Sequence, residues 1–289
     1  MALRAATDAD RDAVLALGVA EETAWFGEPD VSAAEVGEWI DDEGGLQAGV
    51  VAVAEDGRVR GFASPGRRTA VLLTDPARID PVADELLPWL RAQRDDVQLE
   101  TFAGDTQRIR AFERHGLRHR RSSFSMFRPD AIEPVPEPAL PDGVAVAPYR
   151  LGDADEDVHR LIYVDAAWAS VPGHAERDLD DWRESMRPCP SMFLARRDGR
   201  PVGWVAGRLL ESGRGFVRML AVAESERGRG LGRALLLVTF AGLQRAGARG
   251  LTLGVEAENE AALGLYRSVG LEVEREWRTY ASGPWTAKS

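Results

Sequence analysis

The stretch ERGRGLGRALL, residues 226 to 236, sets Arg227, Arg229 and Arg233 among Gly228, Gly230 and Gly232 just ahead of an apolar run. Glycines in a turn that opens a helix let the main chain approach a ligand and point successive N–H groups at a phosphate. Cations sit poorly there on their own, because a helix N-terminus carries partial positive charge and disfavours each by about 0.3 to 1 kcal/mol. Glu224 and Glu226 soften that repulsion, and a bound anion would turn it into attraction. Three readings stand: a phosphate cradle, a basic patch for nucleic acid, or a turn whose arginines face water. The second fits worst, since no aromatic residue interleaves the arginines and 47 acidic residues outnumber 36 basic ones, a formal charge of -11. The loop also lacks the Gly-Lys-Ser/Thr of a nucleotide P-loop and the setting of a dinucleotide unit with a downstream acidic ribose ligand.

A strand must deliver this loop and a helix must leave it. GFVRMLAVA, from residue 215, is β-prone, GLGRALLLVTFAGLQRAG has helical length and stops on Gly247, and GLTLGVEA reads as a strand again. Asn259 then caps a helix, EAALGLYRSV, with Gly270 as its left-handed stop, and EVEREWRTYA closes as an alternating strand. Upstream, SMFLARRDGRPVGWVAGRLL places two apolar runs around Asp198 and Gly199, a hairpin signal.

Between Arg128 and Gly143 lie Pro129, Pro134, Pro136, Pro138 and Pro141, a spacing that forbids a helix or a central strand and favours an extended connector. The expected domains are residues 1–130 and 144–289, joined by a proline-rich linker at 131–143. The two halves repeat. Gly57 and Gly61 match Gly199 and Gly203 at an offset of 142, while Asp105, Phe112 and Gly116 match Asn259, Tyr266 and Gly270 at 154. The first copy is therefore shorter in the interval that holds the glycine loop, where LLTDPARIDPVADELL has no glycine. Its prolines, Pro76, Pro81 and Pro88, restrict the backbone there.

At 289 residues the chain is long enough for two ordinary cores, and 44% hydrophobic with 29% charged residues is a globular composition. No apolar run approaches the ~20 residues of a membrane span, and MALRAATDADRD lacks the order of a signal peptide. The expected location is the cytoplasm, with no membrane or nucleic-acid partner. Cys189 is the single cysteine, which excludes an internal disulfide and leaves no soft-metal site, so no metal is expected. Monomer and homodimer both stay open.

Taken together, the two motifs resemble the GCN5-related N-acetyltransferases. The family's loop, Arg/Gln-x-x-Gly-x-Gly/Ala after a strand, stands here as Arg227-Gly228-Arg229-Gly230-Leu231-Gly232. Its asparagine, followed seven residues on by tyrosine and then by glycine, stands as NEAALGLYRSVGL. The motifs cover residues 144 to 280, and the repeat extends the likeness in fold to residues 1 to 130, as in tandem members of the family. The resemblance implies an α/β (α+β) fold of two tandem domains, each a mixed, mostly antiparallel sheet flanked by helices. It implies transfer of an acetyl group from acetyl-CoA to a primary amine of a small molecule; a protein or peptide acceptor and a non-catalytic acyl-CoA sensor are the alternatives. It further implies that main-chain groups of Leu220, Ala221 and Val222 take the pantetheine arm where two parallel strands splay. The N–H groups from Arg227 to Gly232 would hold the pyrophosphate with Arg233 beside it, Asn259 would contact the cofactor arm, and Tyr266 would sit near the thioester sulfur.

A phenol with a pKa of about 10 beside a thiolate whose acid has a pKa of about 8.5 is a credible proton donor in a dry site. Tyr266 also reads as a core aromatic, and Asn259 as a plain helix cap. Many family members carry a carboxylate on the strand before the loop, where this chain offers Phe216, Arg218 and Met219. Glu256 is the first candidate for the general base, with Glu211 or His174 acting through water. In the first copy Phe112 cannot donate a proton, so residues 1–130 are expected to be degenerate and non-catalytic. Trp25, Phe26, Trp39, Trp168 and Trp182 are either core packing or acceptor contacts.

Overall fold

A computed structural model describes the chain apart from residues 68, 130–134, 171–175 and 284–289 and the side chain of residue 169. Part of the expected linker, and His174, therefore lie outside the described residues. Contacts divide the rest into two units, residues 1–123 with 275–283, and residues 124–274.

The first unit runs β1 (Ala2–Ala5), α1 (Arg11–Phe26), α2 (Ala33–Asp42), β2 (Val50–Val53), β3 (Val59–Ser64), β4 (Val71–Thr74), α3 (Ile79–Gln93), β5 (Gln98–Phe102) and α4 (Thr106–Arg114). Strands β1 to β4 pair antiparallel in chain order. Period-two alternation fills both faces of this sheet: Val71 and Leu73 pack with Val14, Val36 and Ile40 of α1 and α2, while Leu72 packs with Leu86 and Leu90 of α3. The next strand, β6 (Arg118–Pro129), gives its residues from 124 to the second unit.

There follow β7 (Val144–Pro148), α5 (Asp155–Arg160), α6 (Leu179–Met186), β8 (Ser191–Arg197), β9 (Arg200–Leu209), β10 (Gly215–Val222), α7 (Leu231–Arg245), β11 (Gly250–Glu256), α8 (Glu260–Ser268) and β12 (Glu272–Ala281). In the second unit the strands are ordered β6-β11-β10-β9-β8-β7. Leu235, Leu236, Phe240 and Leu243 of α7 fill one face, and Trp182, Met186 and Trp204 lie in the core of the other. The late residues of β12 return to the first unit, pairing antiparallel with β5 from Trp277↔Phe102 to Ala281↔Gln98. The fold is thus α/β (α+β), with mixed, mostly antiparallel sheets and helices on their faces.

Matched positions of the repeat share backbone conformations. Gly57 and Gly199 have φ of 78° and 80°, and Gly116 and Gly270 have 82° and 84°. Asp105 and Asn259 sit at φ/ψ of -78°/73° and -83°/71°, and each caps its helix by accepting the N–H three residues on.

Candidate active site

Strands β10 and β11 pair in parallel from Gly215↔Leu251 to Val217↔Leu253, and the pairing stops there. An irregularity between Val217 and Met219 in the pairing with β9 marks the departure. Leu220, Ala221 and Val222 stay paired with Val205, Trp204 and Gly203, while their other edge faces the gap that β11 leaves. A slot results at the C-terminal end of β10, bordered by main-chain groups that join no strand pairing among the described residues.

That end leads through a short turn, Glu224–Glu226, into the glycine loop. Gly228 and Gly230 have φ of 73° and 84°, with nothing within 4 Å of where a Cβ would stand, so conformation rather than space requires glycine at both. Gly230 is the left-handed N-cap of α7, and Ala234 N–H is the first to bond back to it. The N–H groups from Gly228 to Arg233 find no acceptor among the described residues, the open donors of a helix N-terminus. Arg227 differs from its neighbours. Its N–H donates to Glu224 O at 3.2 Å, and its Nη2 donates to Ala166 O at 2.6 Å, fastening the loop to the end of the α5 segment. Buried Glu226 is gripped by both Arg197 Nε and Nη2, at 2.9 and 3.0 Å, which holds its carboxyl below the usual range. Arg229 stays exposed, 3.7 Å from Glu226, and Arg233 is half-buried on the first turn of α7.

Gly232 brings the two motifs together. A Cβ there would lie 3.2 Å from Leu265 Cδ2, so α8 packs against the first turn of α7. Asn259 uses Oδ1 to cap α8, accepting Ala262 N–H at 3.0 Å, and its amide NH₂ has no acceptor among the described residues. Tyr266 is half-buried against the α7 core, and its hydroxyl bonds to no described residue. Burial pushes its phenol up to about 12. Glu256 ends β11 three residues past Leu253, the last residue paired with β10, and so lies on the diverging end of that strand. Leu251, Leu253 and Val255 face α7, which puts Glu256 on the opposite face of the sheet from Tyr266.

Other sequence candidates stand elsewhere. Glu211 is exposed in the turn before Gly215, at the far end of β10 from the loop. Trp182 is fully buried in the α5–α6 core, and Trp168 packs against it. Trp25 and Phe26 belong to a ring cluster with Phe102 and Trp277, while Trp39 is 42% exposed. Cys189 is buried, its thiol pushed up by desolvation. No group of potential ligands arranged for a metal ion is present among the described residues, nor any helix long and apolar enough to cross a membrane.

The first unit treats the same positions differently. Thr74 pairs with Gly61 as Val222 pairs with Gly203, so Leu72 takes the place of Leu220. Arg108 Nη1 donates to Leu72 O at 3.0 Å, and Thr74 N–H donates to Glu21 Oε1 at 2.6 Å. Arg108 also donates to Glu21, to Thr74 Oγ1 and to Asp105. At the turn, Asp75 Oδ1 accepts Ala77 N–H at 3.0 Å, a side-chain carboxylate capping the start of the turn at Pro76–Arg78. This plug of sequence-distant residues was invisible in the glycine-poor stretch itself.

The profile of the Acetyltransferase (GNAT) family matches residues 157–271. A mycothiol acetyltransferase of Streptomyces avermitilis is 32% identical over 263 residues, 79% of this chain and 85% of that protein. One of Saccharomonospora viridis is 30% identical over 240 residues, covering 78% of this chain and 77% of its own. A GCN5-related N-acetyltransferase structure from Sphaerobacter thermophilus overlays with a TM-score of 0.79 at 26% identity, covering 97% of this chain and 94% of that one. A tandem GNAT protein from the clavulanic acid biosynthesis pathway shares the fold, with a TM-score of 0.74 at 17% identity over 99% of this chain and 100% of that one. Fold, loop and relatives define an acetyltransferase. The chain belongs to the GNAT family, the GCN5-related N-acetyltransferases.

Proposed function

We propose that the second domain transfers an acetyl group from acetyl-CoA to a primary amine of a small molecule. The observation that carries this is the continuity of the β10 slot with the open N–H groups from Gly228 to Arg233. A thioester arm in the slot and a pyrophosphate at the N-terminus of α7 would satisfy both sets of main-chain groups at once. Arg229 and Arg233 add charge beside them, whereas Arg227 is spent on Ala166. Acetyl-CoA would supply the activated acyl carbon, and the chain's residues manage the protons.

Glu256, on one face of the slot, would take the proton of the attacking ammonium, leaving the neutral amine that forms the new C–N bond. Tyr266, on the other face, would protonate the departing sulfur as the C–S bond breaks, and regain a proton from the nitrogen, which sheds its second one as the amide forms. Asn259 is placed to donate its amide to the arm. The relatives named as mycothiol acetyltransferases support a small-molecule acceptor. The first domain, in this reading, is non-catalytic: Phe112 replaces the tyrosine, and Arg108 and Glu21 occupy its cofactor positions.

The test is thiol release from acetyl-CoA with a panel of small primary amines and, separately, peptides. Turnover on an amine supports the proposal. Activity on peptides alone would replace its acceptor, and tight acetyl-CoA binding without any turnover would make the chain a sensor.

A further inference from the structure

The first unit holds a cavity of about 280 Å³ lined by α1, α2, Leu72 and Leu73 of β4, Glu100 of β5, Arg108 of α4, and Trp277. It lies beside the plugged slot, and nothing in the acetyl transfer proposed above uses it. Its walls combine the indole rings of Trp25, Trp39 and Trp277 with the carboxylates of Glu21, Glu22, Glu35 and Glu100. Trp39 is 42% exposed and Glu100 is also exposed, so these two stand where the cavity meets solvent.

The charge inside is one-sided. Arg108 is the single cation on the wall among the described residues, with Arg121 facing Glu100 from the adjoining pocket, and each nitrogen of Arg108 is committed: Nε to Asp105, Nη1 to Leu72 O, and Nη2 to Glu21 and Thr74. It is shared between two carboxylates and has little left for an anionic ligand. Arg275, the nearest guanidinium to Glu22, is likewise shared, bonding to Asp30 and standing 4.0 Å from Glu22 Oε2. Glu22 is 8% exposed, and this oxygen accepts no hydrogen bond from any described residue. A buried carboxylate oxygen without a donor is a costly arrangement that a ligand's N–H or ammonium would relieve. Desolvation pushes Glu21 and Glu22 above the ordinary carboxylate range. Aromatic faces attract cations, and such sites gain more once desolvated. The volume is at the lower edge of small-molecule pockets, about 300 to 1,000 Å³, which sets the ligand's size.

We propose that this cavity binds a small organic cation, an ammonium group on a compact apolar body, held among Trp25, Trp39 and Trp277 with Glu22 and Glu100 as counter-charges. The site is separate from the acetyl-transfer slot of the second domain.

The test uses the full chain without acetyl-CoA, titrated with choline, with benzyltrimethylammonium, and with 3,3-dimethyl-1-butanol, the uncharged counterpart of choline. Quaternary nitrogens cannot be acetylated, so binding at a reactive amine site is not being read. Tryptophan fluorescence and calorimetry should show saturable binding of at least one cation, at least tenfold tighter than the alcohol. Glu100→Gln and Trp39→Ala, both at exposed positions that leave the core intact, should each weaken it at least fivefold, and saturating coenzyme A should leave it unchanged. No saturable binding of either cation, equal affinity for the alcohol, indifference to both substitutions, or displacement by coenzyme A would each overturn the proposal. None of these outcomes bears on whether the second domain acetylates an amine.

Discussion

Arg108 Nη1 donates to Leu72 O at 3.0 Å, and so closes from within the main-chain position that Leu220 leaves open in the second copy. The arginine is 2% exposed and its partner Glu21 is 3% exposed. Two charges so deep are stable only together, since removing one leaves the other buried and unpaired, at about 3 to 5 kcal/mol. Arg108→Ala should therefore lower the urea unfolding free energy of the first unit by about that amount. The double change Arg108→Met with Glu21→Gln should cost less, because Glu21 is no longer left as a buried charge, while Asp105 loses its guanidinium and keeps the bonds from Trp25 Nε1 and the residue 108 N–H. A loss under about 1 kcal/mol for the single variant would show the pair to be dispensable.

The glycine loop makes a different kind of claim. At Gly230 the space for a Cβ is empty but φ is 84°, so any penalty comes from the backbone. Gly230→Ala should weaken acetyl-CoA binding at least tenfold by calorimetry, and Gly230→Asn, which tolerates a left-handed conformation, should weaken it less. Equal affinities for alanine, asparagine and glycine would remove the loop from the site.

Local spacing carried much of this protein. Glycines at 57, 116, 199 and 270 were readable because a hairpin or a helix stop needs positive φ, and the structure gives it at all of them. Asn259 is readable as a cap because its side-chain oxygen can accept the N–H three residues on, and Asp105, its match in the first copy, makes the same bond. What the sequence hid are contacts between distant residues. Glu21 meets Arg108 across 87 positions, and Trp25 Nε1 reaches Asp105 across 80. The passage of residues 275–283 into the first unit also escaped, because the alternation of β12 says that it is a strand but not which neighbour it joins. Spacing alone groups Arg227 with its two neighbours in the cradle, and only the packing of the α5 segment shows that its side chain turns to Ala166.

Tyr266 should be separable from cofactor binding. Tyr266→Phe keeps the ring that packs on the α7 core and loses only the hydroxyl, so kcat should fall by about 10²- to 10⁴-fold with little change in acetyl-CoA affinity. The raised phenol also fixes a sign. Its folded pKa of about 12 lies above the unfolded value, so its stability contribution is complete below about pH 10 and is lost as pH rises through 12. The rate of the wild type should accordingly show no alkaline fall from this group below that range. A decline centred near pH 10 that vanishes in Tyr266→Phe would contradict the desolvated setting described for it.

Glu256 gives the sharpest test of the proton path. If its carboxylate takes the ammonium proton, Glu256→Gln should slow turnover by about 10²-fold near neutral pH, where most of a primary amine is protonated. Raising the pH towards the amine's own pKa supplies neutral amine from solution, so the deficit should shrink steadily and nearly close there. Glutamine keeps the size of the side chain and the main-chain bond from Asn259 N–H to Glu256 O at 3.0 Å, so the loop before α8 should stand unchanged. A deficit that stays constant across the pH range would instead mean that Glu256 positions the acceptor through hydrogen bonds. A deficit confined to the acetyl-CoA KM would move it out of the proton path and place it against the cofactor.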